Sequence, residues 1–264
     1  MIKLIATDMD GTLLDEHGKL PKDFFPTLER LNRKNVKFVV ASGRPYATLY
    51  ENFKPHSDEL YFICDNGAYI VEPGKNPIID VMDKDKVNAM VKACEGMDNT
   101  AVILCGVKNV YYKNCSQEIQ NEINKYYVKK EMVSDLTDID DDIFKVTICD
   151  LNGSQENSFK VLNPLFGDEF KVVVSGSVWI DINNKGTNKG DAIKKLQEDL
   201  DISYDETMAF GDFYNDVEML QAAHYSFVME NANEDMKQYG NYIAKKNTEN
   251  GVIKAIDEYV LKED

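Results

Sequence analysis

The stretch IKLIATDMDGTL, residues Ile2–Leu13, decides how the rest of the sequence is interpreted. Its first half is an apolar run with the length of a buried strand, and Asp8 and Asp10 follow where that strand should end. Side chains two positions apart on extended backbone point to the same side, so the two carboxylates should lie close together. Such a pair needs a cation between its members, or one of them must hold a proton. The alternative is a solvated turn at Gly11.

The composition excludes several classes of protein. The chain has 264 residues, of which 43% are hydrophobic, enough for one large domain or a core with a sizeable insertion. A formal net charge of −16 argues against nucleic acid as a partner, because the acidic protein would repel the phosphate backbone of the nucleic acid. No apolar run has the length of a membrane span, and we expect no signal peptide because the chain enters a strand at once.

The cysteines and histidines indicate neither disulfides nor zinc. The five cysteines are scattered and lack the paired spacing of a metal site; they are Cys64, Cys94, Cys105, Cys115 and Cys149. Such cysteines are typical of reduced thiols in a cytoplasmic protein, and the three histidines are widely dispersed. We therefore expect a cytoplasmic protein, either a monomer or a small homo-oligomer.

An alternation of buried strands and helices predicts the fold class. Apolar strands at Val36–Ala41 and Leu60–Cys64 are each preceded by a segment with helical spacing and end at polar, glycine-containing turns. The same pattern resumes at the helix start Asn188-Lys189-Gly190 and at the strand Thr207–Phe210. This pattern indicates an α/β fold, a doubly wound Rossmann-like parallel sheet whose ligands bind beyond the carboxyl ends of its strands.

Residues 83–183 interrupt the alternation. Their predicted strands are shorter and are joined by hairpin-like links, notably Ser175-Gly176-Ser177. We predict that they form a separate α+β domain inserted into a core made of residues 1–82 and 184–264.

Polar residues at the predicted strand ends suggest one chemistry. Four carboxylates are expected to converge there: Asp8, Asp10, Asp212 and Asp216. An oxygen-only set without histidine or cysteine suits Mg²⁺. Ser42 and Gly43 stand at a helix start that favours an anion such as phosphate, and Lys189 adds a positive charge. The reaction indicated is phosphoryl transfer, in which a carboxylate such as Asp8 can be the nucleophile and a second one can move the proton.

These residues resemble a known family. The sequence is similar to the haloacid dehalogenase-like phosphatase superfamily, specifically to Cof-type members with a type IIB cap, over nearly its whole length. Five motifs in order carry the resemblance: Asp8-Met9-Asp10-Gly11-Thr12, Ala41-Ser42-Gly43-Arg44, Asp65-Asn66-Gly67-Ala68, Asn188-Lys189-Gly190 and Gly211-Asp212-Phe213-Tyr214-Asn215-Asp216. One departure is the bulky pair Phe213-Tyr214, because small residues are common at the first of these positions. The departure bears on specificity rather than on chemistry.

The resemblance implies a role for each acidic residue. Asp8 would be the nucleophile and a metal ligand, and Asp10 the general acid and base, binding Mg²⁺ through its backbone carbonyl. Thr12 would steady the loop. Asp212 would be a direct Mg²⁺ ligand and Asp216 a supporting carboxylate of the metal site.

The resemblance also implies a phosphate-binding group. Its predicted members are Ser42, Gly43, Lys189 and Asn215, the last as a phosphate or metal-shell contact. Arg44 and Asn66 would lie beside the site and meet the substrate. For Arg44 a structural ion pair is the alternative, and for Asn66 a turn position before glycine.

The preferred function is a Mg²⁺-dependent phosphatase that hydrolyses small phosphorylated metabolites through an aspartyl-phosphate. Sugar phosphates and phosphorylated cofactors are the substrates the resemblance implies, and the inserted domain would be a cap that closes over the site and selects the leaving group. One alternative is a sugar phosphomutase of the same fold. Another is a non-enzymatic module that accepts phosphate on Asp8 as a signal or senses a metabolite, although such modules are shorter and lack the inserted domain.

Overall fold

The computed structural model describes residues 1–262, which fold into two compact units. The first unit comprises Met1–Gly43, Phe53–Pro77 and the chain from Asn188 onward; the second comprises Arg44–Asn52 and Ile78–Thr187. The structure thus groups residues 44–52 with the inserted segment, whereas the sequence-based division left them in the core. The insert also begins and ends a few residues outside 83–183.

Both units combine helices and strands. In chain order the strands are β1 (Leu4–Thr7), β2 (Lys37–Ala41), β3 (Tyr61–Cys64), β4 (Tyr69–Val71), β5 (Ile78–Ile79), β6 (Thr100–Gly106), β7 (Val110–Lys113), β8 (Glu131–Val133), β9 (Ile143–Asp150), β10 (Phe170–Gly176), β11 (Trp179–Asn184), β12 (Thr207–Gly211), β13 (Tyr225–Met229) and β14 (Tyr242–Ala244). The helices are α1 (Phe24–Arg33), α2 (Tyr46–Asn52), α3 (Lys84–Ala93), α4 (Gln117–Tyr126), α5 (Ser158–Phe166), α6 (Lys189–Leu200), α7 (Val217–Gln221) and α8 (Gly251–Ile256).

Strand β1 lies inside the sheet of the first unit, with β2 on one side and β12 on the other, both parallel to it. The strand order is β14-β13-β12-β1-β2-β3-β4, and only the β3–β4 pair is antiparallel. All residues of β1, β3 and β12 are buried, as expected of a sheet covered on both faces. The order reverses at β1, so the carboxyl ends of β1, β2 and β12 meet at a switch point. The predicted α/β class with a doubly wound parallel sheet is confirmed.

Two helices of this unit show how its sequence sets the packing. Helix α1 buries a stripe that includes Phe24, Leu28 and Leu31, and the Phe24 ring lies 5.4 Å from that of Phe38. Helix α6 approaches α7 so closely that a Cβ on Gly190 would lie 2.3 Å from the carbonyl oxygen of Glu218. Only glycine fits at that position, and the close approach fixes the helix turn that carries Lys189.

The second unit is an antiparallel sheet with one apolar and one mixed face. Its strand order is β10-β11-β9-β6-β7-β8, in which only the β7–β8 pair is parallel. Val146 and Ile148 of β9 enter a buried apolar cluster that also contains residues of α3 and α5. Thr147 lies between them and therefore faces the other side, where the Tyr127 hydroxyl donates to its Oγ1 at 3.5 Å. The predicted α+β character of the insert agrees with this arrangement.

The sequence missed one strand of this unit. Strand β8 has only three residues, two of them exposed, so it lacks the apolar alternation on which strand prediction depends. Strand β5 is also short, with only the two residues Ile78–Ile79. Among the helices of residues 1–262, none combines the length and the apolar content needed to cross a bilayer.

Asp150, at the end of β9, is bound to the first residue of helix α5. Its completely buried carboxylate accepts hydrogen bonds from the Ser158 amide at 3.0 Å, from the Ser158 hydroxyl at 2.6 Å and from the Asn152 amide at 3.0 Å. Burial alone would raise the pKa of Asp150, but the bonds from Ser158, Asn157 and Asn152 outweigh it and lower the pKa below the usual carboxyl value. The folded state therefore favours the ionised carboxylate.

Asp150→Asn is expected to lower the free energy of unfolding by about 2 kcal/mol at pH 7, because bonds to a charged acceptor are replaced by weaker ones. The contribution is fully present above about pH 4, where the unfolded carboxyl is ionised, and disappears as the pH falls through the lower folded pKa. Urea unfolding of wild type and variant at neutral and acidic pH measures both effects. The control is Asp135→Asn, whose exposed carboxylate accepts two bonds from Thr137. A pH-independent difference for Asp150→Asn, or an equal loss in the control, would contradict the assignment.

Candidate active site

The site lies where β1, β2 and β12 end. Asp8 follows β1 and its amide donates to the Phe210 carbonyl of β12 at 3.0 Å. Ser42 follows β2 and its amide donates to the Ile63 carbonyl of β3 at 2.8 Å. Asp212 follows β12 directly. The parallel sheet therefore brings residues from distant parts of the chain to one edge.

The chain leaves β1 through a tight turn at Met9–Leu13. Asp10 and Gly11 interrupt its helical geometry, and Gly11 has φ +80°. A Cβ at Gly11 would lie 2.2 Å from Oδ2 of Asp212. Glycine is thus required here both for its backbone conformation and because the turn presses against Asp212. The Thr12 hydroxyl donates to Oδ1 of Asp212 at 3.0 Å and fixes that carboxylate from the same turn.

Lys189 connects two of the carboxylates. Its Nζ lies 2.6 Å from Oδ1 of Asp8 and 2.7 Å from Oδ1 of Asp216, and the lysine side chain is completely buried. Burial alone would lower the pKa of Lys189, but Asp216 and Asp8 outweigh it and raise the pKa above its ordinary value. Lys189 is therefore a buried, doubly paired ammonium group.

Asp216 organises the loop after β12. Its Oδ1 is bound to Lys189, and its Oδ2 accepts from the amides of Asp212 at 3.0 Å and Phe213 at 3.1 Å. Both oxygens of this fully buried carboxylate thus have protein donors. A Cβ at Gly211 would lie 2.4 Å from the Cβ of Asp216, so the loop folds tightly over this side chain.

Negative charge exceeds positive charge in this cluster. Asp8, Asp212 and Asp216 each place a carboxylate oxygen within 4.8 Å of the others. Burial raises the pKa of Asp8 to about 8, and Asp216 and Asp212 add to the rise while Lys189 opposes it. Burial and the neighbouring Asp216 raise the pKa of Asp212 to about 6. The shift at Lys189 favours a charged pair, whereas the shift at Asp8 favours the neutral acid. Two carboxylates hold the lysine, so we assign it the charged form, and the Asp8 shift follows from burial together with the neighbouring Asp216 and Asp212.

This arrangement fits a hard divalent cation. Three carboxylates share one lysine, so a further positive charge would offset the repulsion that adds to the effect of burial on the two pKa values. Oxygen-only donors are the ligands Mg²⁺ takes in proteins. Among residues 1–262, the three-carboxylate group consists of Asp8, Asp212 and Asp216. The exposed carboxyl of Asp10 is not a member, although the sequence-based metal set included that residue through its backbone carbonyl.

A second group of predicted residues surrounds Asn66. The Asn66 amide donates to the Ser42 carbonyl at 3.0 Å, and the Asn215 side chain donates to Oδ1 of Asn66 at 3.0 Å. A Cβ at Gly43 would lie 3.1 Å from Nδ2 of Asn66. Asn66 thus joins the end of β2 to the loop after β12, and its left-handed backbone (φ +57°) suits asparagine. Arg44 begins the second compact unit.

Two asparagines that received no predicted role also contact the turn after β1. The Asn231 side chain donates to the Gly11 carbonyl at 2.8 Å, and the Asn247 side chain donates to the Leu14 carbonyl at 2.8 Å. Asn231 follows β13, whose carboxyl end adjoins that of β12, and this position in the sheet is one signal for its place at the site. Nothing local in the sequence links either asparagine to Gly11 or Leu14.

The chain matches the haloacid dehalogenase-like hydrolase family over residues 5–256 and belongs to it. It is 32% identical to the 5-amino-6-(5-phospho-D-ribitylamino)uracil phosphatase YbjI of Escherichia coli K12, over 99% of this chain and 97% of that protein. The expected family and phosphatase class are confirmed.

Solved structures agree with this assignment. SMU.1108c from Streptococcus mutans UA159 is 32% identical, with a TM-score of 0.85 over 99% of this chain and 100% of the other. The subclass IIB sugar phosphatase BT4131, 24% identical, shares the fold with a TM-score of 0.80 over 97% of this chain and 98% of that one.

Gly11→Ala tests the contact between the turn and Asp212. Gly18 provides a matched control, since it also has positive φ (+71°) but nothing within 4 Å of an added Cβ. Both variants should lose about 1 kcal/mol of stability from the left-handed backbone. Only Gly11→Ala displaces Asp212, and we expect its phosphatase kcat/KM to fall about 100-fold, as misplacement by about 1 Å can cause. Thermal unfolding and phosphate release measure the two effects. Equal activity of the two variants would contradict the steric argument.

Proposed function

We propose that this chain is a Mg²⁺-dependent phosphatase that hydrolyses small phosphorylated metabolites through an aspartyl-phosphate on Asp8. One observation carries the proposal: the buried Lys189 binds Asp8 and Asp216 in a cluster of three carboxylates whose oxygens lie within 4.8 Å of one another. A lone structural ion pair needs no third carboxylate. A site that must accept a cation and a phosphoryl group needs the third carboxylate to bind the cation.

The metal ligands we propose are Asp8, Asp212 and the backbone carbonyl of Asp10, with Asp216 supporting them. Both oxygens of Asp216 already accept bonds from Lys189 and from loop amides, which suits support rather than direct ligation. When bound, Mg²⁺ supplies positive charge to the phosphoryl oxygens and offsets the charge of the carboxylates. Thr12 holds Asp212 in place through its hydroxyl.

Asp8 carries out the covalent step, and Asp10 carries out the proton transfers. A carboxylate oxygen of Asp8 attacks phosphorus while the bond to the leaving oxygen breaks, and Asp10 gives that oxygen a proton. Asp10 then takes a proton from water as the water oxygen attacks the aspartyl-phosphate. Inorganic phosphate leaves and Asp8 is restored. Lys189 orients Asp8 and favours its ionised form before the attack, since its Nζ is bound to Oδ1 at 2.6 Å.

The substrate-binding residues of this proposal come from the ends of the strands and the loops that follow them. Ser42, Gly43, Lys189 and Asn215 hold the phosphoryl group, and Arg44 and Asn66 contact the substrate beside it. Residues 1–82 and 184–264 form the catalytic core, and residues 83–183 act as a cap that selects the leaving group. The YbjI relative acts on a phosphorylated ribitylaminouracil, and its 32% identity over the whole chain supports a small phosphorylated metabolite. We further propose a monomer or small homo-oligomer. We propose a cytoplasmic location because the five cysteines are free thiols.

Phosphate release with and without Mg²⁺ tests the chemistry. The panel is p-nitrophenyl phosphate, glucose 6-phosphate, ribose 5-phosphate, pyridoxal 5′-phosphate, flavin mononucleotide and 5-amino-6-(5-phospho-D-ribitylamino)uracil. We expect Asp8→Asn to lower kcat by at least about 1,000-fold, because it removes the nucleophile. Asp23→Asn, an exposed aspartate whose side chain caps no backbone group, should keep wild-type activity. Retained turnover in Asp8→Asn would contradict covalent catalysis, and phosphate transfer without steady release would indicate a mutase.

Metal binding has a readout that is independent of turnover. Mg²⁺ at about 100 times its Kd should raise the Tm by several degrees, since a ligand at this excess stabilises the folded state by about 2.7 kcal/mol. Asp212→Asn should abolish the rise because it removes a proposed ligand, whereas Asp23→Asn should show the full shift. Thermal unfolding in MgCl₂ and in EDTA measures the difference in Tm for each variant. An equal rise in Asp212→Asn would place the metal elsewhere.

A further inference from the structure

The turn that carries Asp8 and Asp10 is held by two side chains from the C-terminal part of the chain. Asn231 and Asn247 lie 220 and 233 positions from the residues they bind, and each donates to a backbone carbonyl at 2.8 Å. Asn231 follows β13, and Asn247 lies between β14 and α8. The turn is thus hydrogen-bonded at the carbonyls of Gly11 and Leu14, on either side of Thr12.

The two asparagines also orient each other. The backbone amide of Asn247 donates to Oδ1 of Asn231 at 3.0 Å. Since an amide nitrogen cannot accept that bond, the Asn231 side chain must turn its oxygen to Asn247 and its nitrogen to the Gly11 carbonyl. Asn247 therefore fixes which end of the Asn231 amide meets the turn.

The two bonds that close the turn use other carbonyls than that of Gly11. The Leu13 amide donates to the Asp8 carbonyl at 3.3 Å and the Leu14 amide to the Met9 carbonyl at 2.8 Å, while Asp10 and Gly11 leave helical geometry. Glycine permits many orientations of its peptide groups. The Asn231 donor selects one of them, and the backbone immediately before Gly11 belongs to Asp10, whose side chain is exposed at the site edge.

We propose that Asn231, oriented by Asn247, is a positioning residue that holds Asp10 in place to protonate the leaving group. This inference rests on the proposed function, in which Asp10 moves the proton. It gives the segment after β13 a part in the reaction although Asn231 touches no reacting atom. The contact aligns one step, the departure of the leaving oxygen, rather than binding of the phosphoryl group.

The test uses leaving groups of different basicity. An alkyl leaving oxygen needs a proton as it departs, whereas p-nitrophenolate departs without one, so only the alkyl substrate reports the placement of Asp10. The value compared is kcat/KM, which covers the steps up to leaving-group departure and excludes hydrolysis of the aspartyl-phosphate. The substrates are p-nitrophenyl phosphate and glucose 6-phosphate, the latter replaced by the best alkyl phosphate of the panel if it is not hydrolysed.

Two variants separate the contact from the charge that one of them introduces. Asn231→Asp keeps the acceptor for the Asn247 amide and removes the donor to Gly11, and Asn231→Ala removes both without adding charge. Asn241 is the matched control, because its exposed side chain also donates to a carbonyl, that of His224, at 2.8 Å. Asn241→Asp and Asn241→Ala should cost comparable stability, about 1 kcal/mol for one hydrogen bond, and leave both kcat/KM values unchanged.

Both Asn231 variants should lower kcat/KM for the alkyl phosphate by about 10- to 100-fold, the range expected when a general acid is misplaced. For p-nitrophenyl phosphate the loss should stay within about threefold, because little proton transfer accompanies its departure. Equal losses for the two substrates, or none for either, would overturn the inference. Asp10→Asn, measured in parallel, should show the same leaving-group dependence in stronger form. If Asp10→Asn lacks it, the role of Asp10 itself is wrong, and that failure is distinguishable from one confined to Asn231.

Discussion

The buried ammonium group of Lys189, held between Asp8 and Asp216, is the interaction on which the first unit's site depends. It joins residues 181 and 27 positions apart, and its side chain has no exposed surface. Removing one partner of a buried pair leaves an uncompensated charge and costs several kcal/mol, so the three side chains must be placed together. The parallel sheet does so by ending β1 and β12 at the same edge, beside the first turn of α6.

This pairing leaves the site short of positive charge, and that deficit connects its structure to its function. Three carboxylates share one lysine, and this surplus adds to burial in raising the pKa values of Asp8 and Asp212. A protein with a net charge of −16 also repels phosphorylated substrates in general. A bound cation would remove both obstacles at the edge where the strands end. Stability of the empty site and affinity for the substrate therefore depend on the same balance of charge.

The second unit is built on a different principle. It buries an apolar cluster on one face of its antiparallel sheet, so it has a core of its own. The opposite face carries polar and aromatic side chains, including Thr147 and Trp179, and the Trp179 ring lies 5.6 Å from that of Tyr126. Residues on the mixed face can therefore change without loss of the apolar core.

The sequence by itself determined the fold class and the composition of the site. Non-alternating apolar strands can be satisfied only in a sheet covered on both faces, and polar motifs after successive strands must then meet at one edge. Asp8, Ser42, Lys189 and Asp212 could be named for that reason. Only the tertiary structure decided which groups pair: that both oxygens of Asp216 are used by Lys189 and loop amides, that residues 44–52 join the second unit, and that Asn231 holds Gly11. Periodicity reports the neighbours of a residue along its own strand or helix. Hydrogen bonds between residues some 200 positions apart depend on the packing of complete elements, which local patterns do not encode.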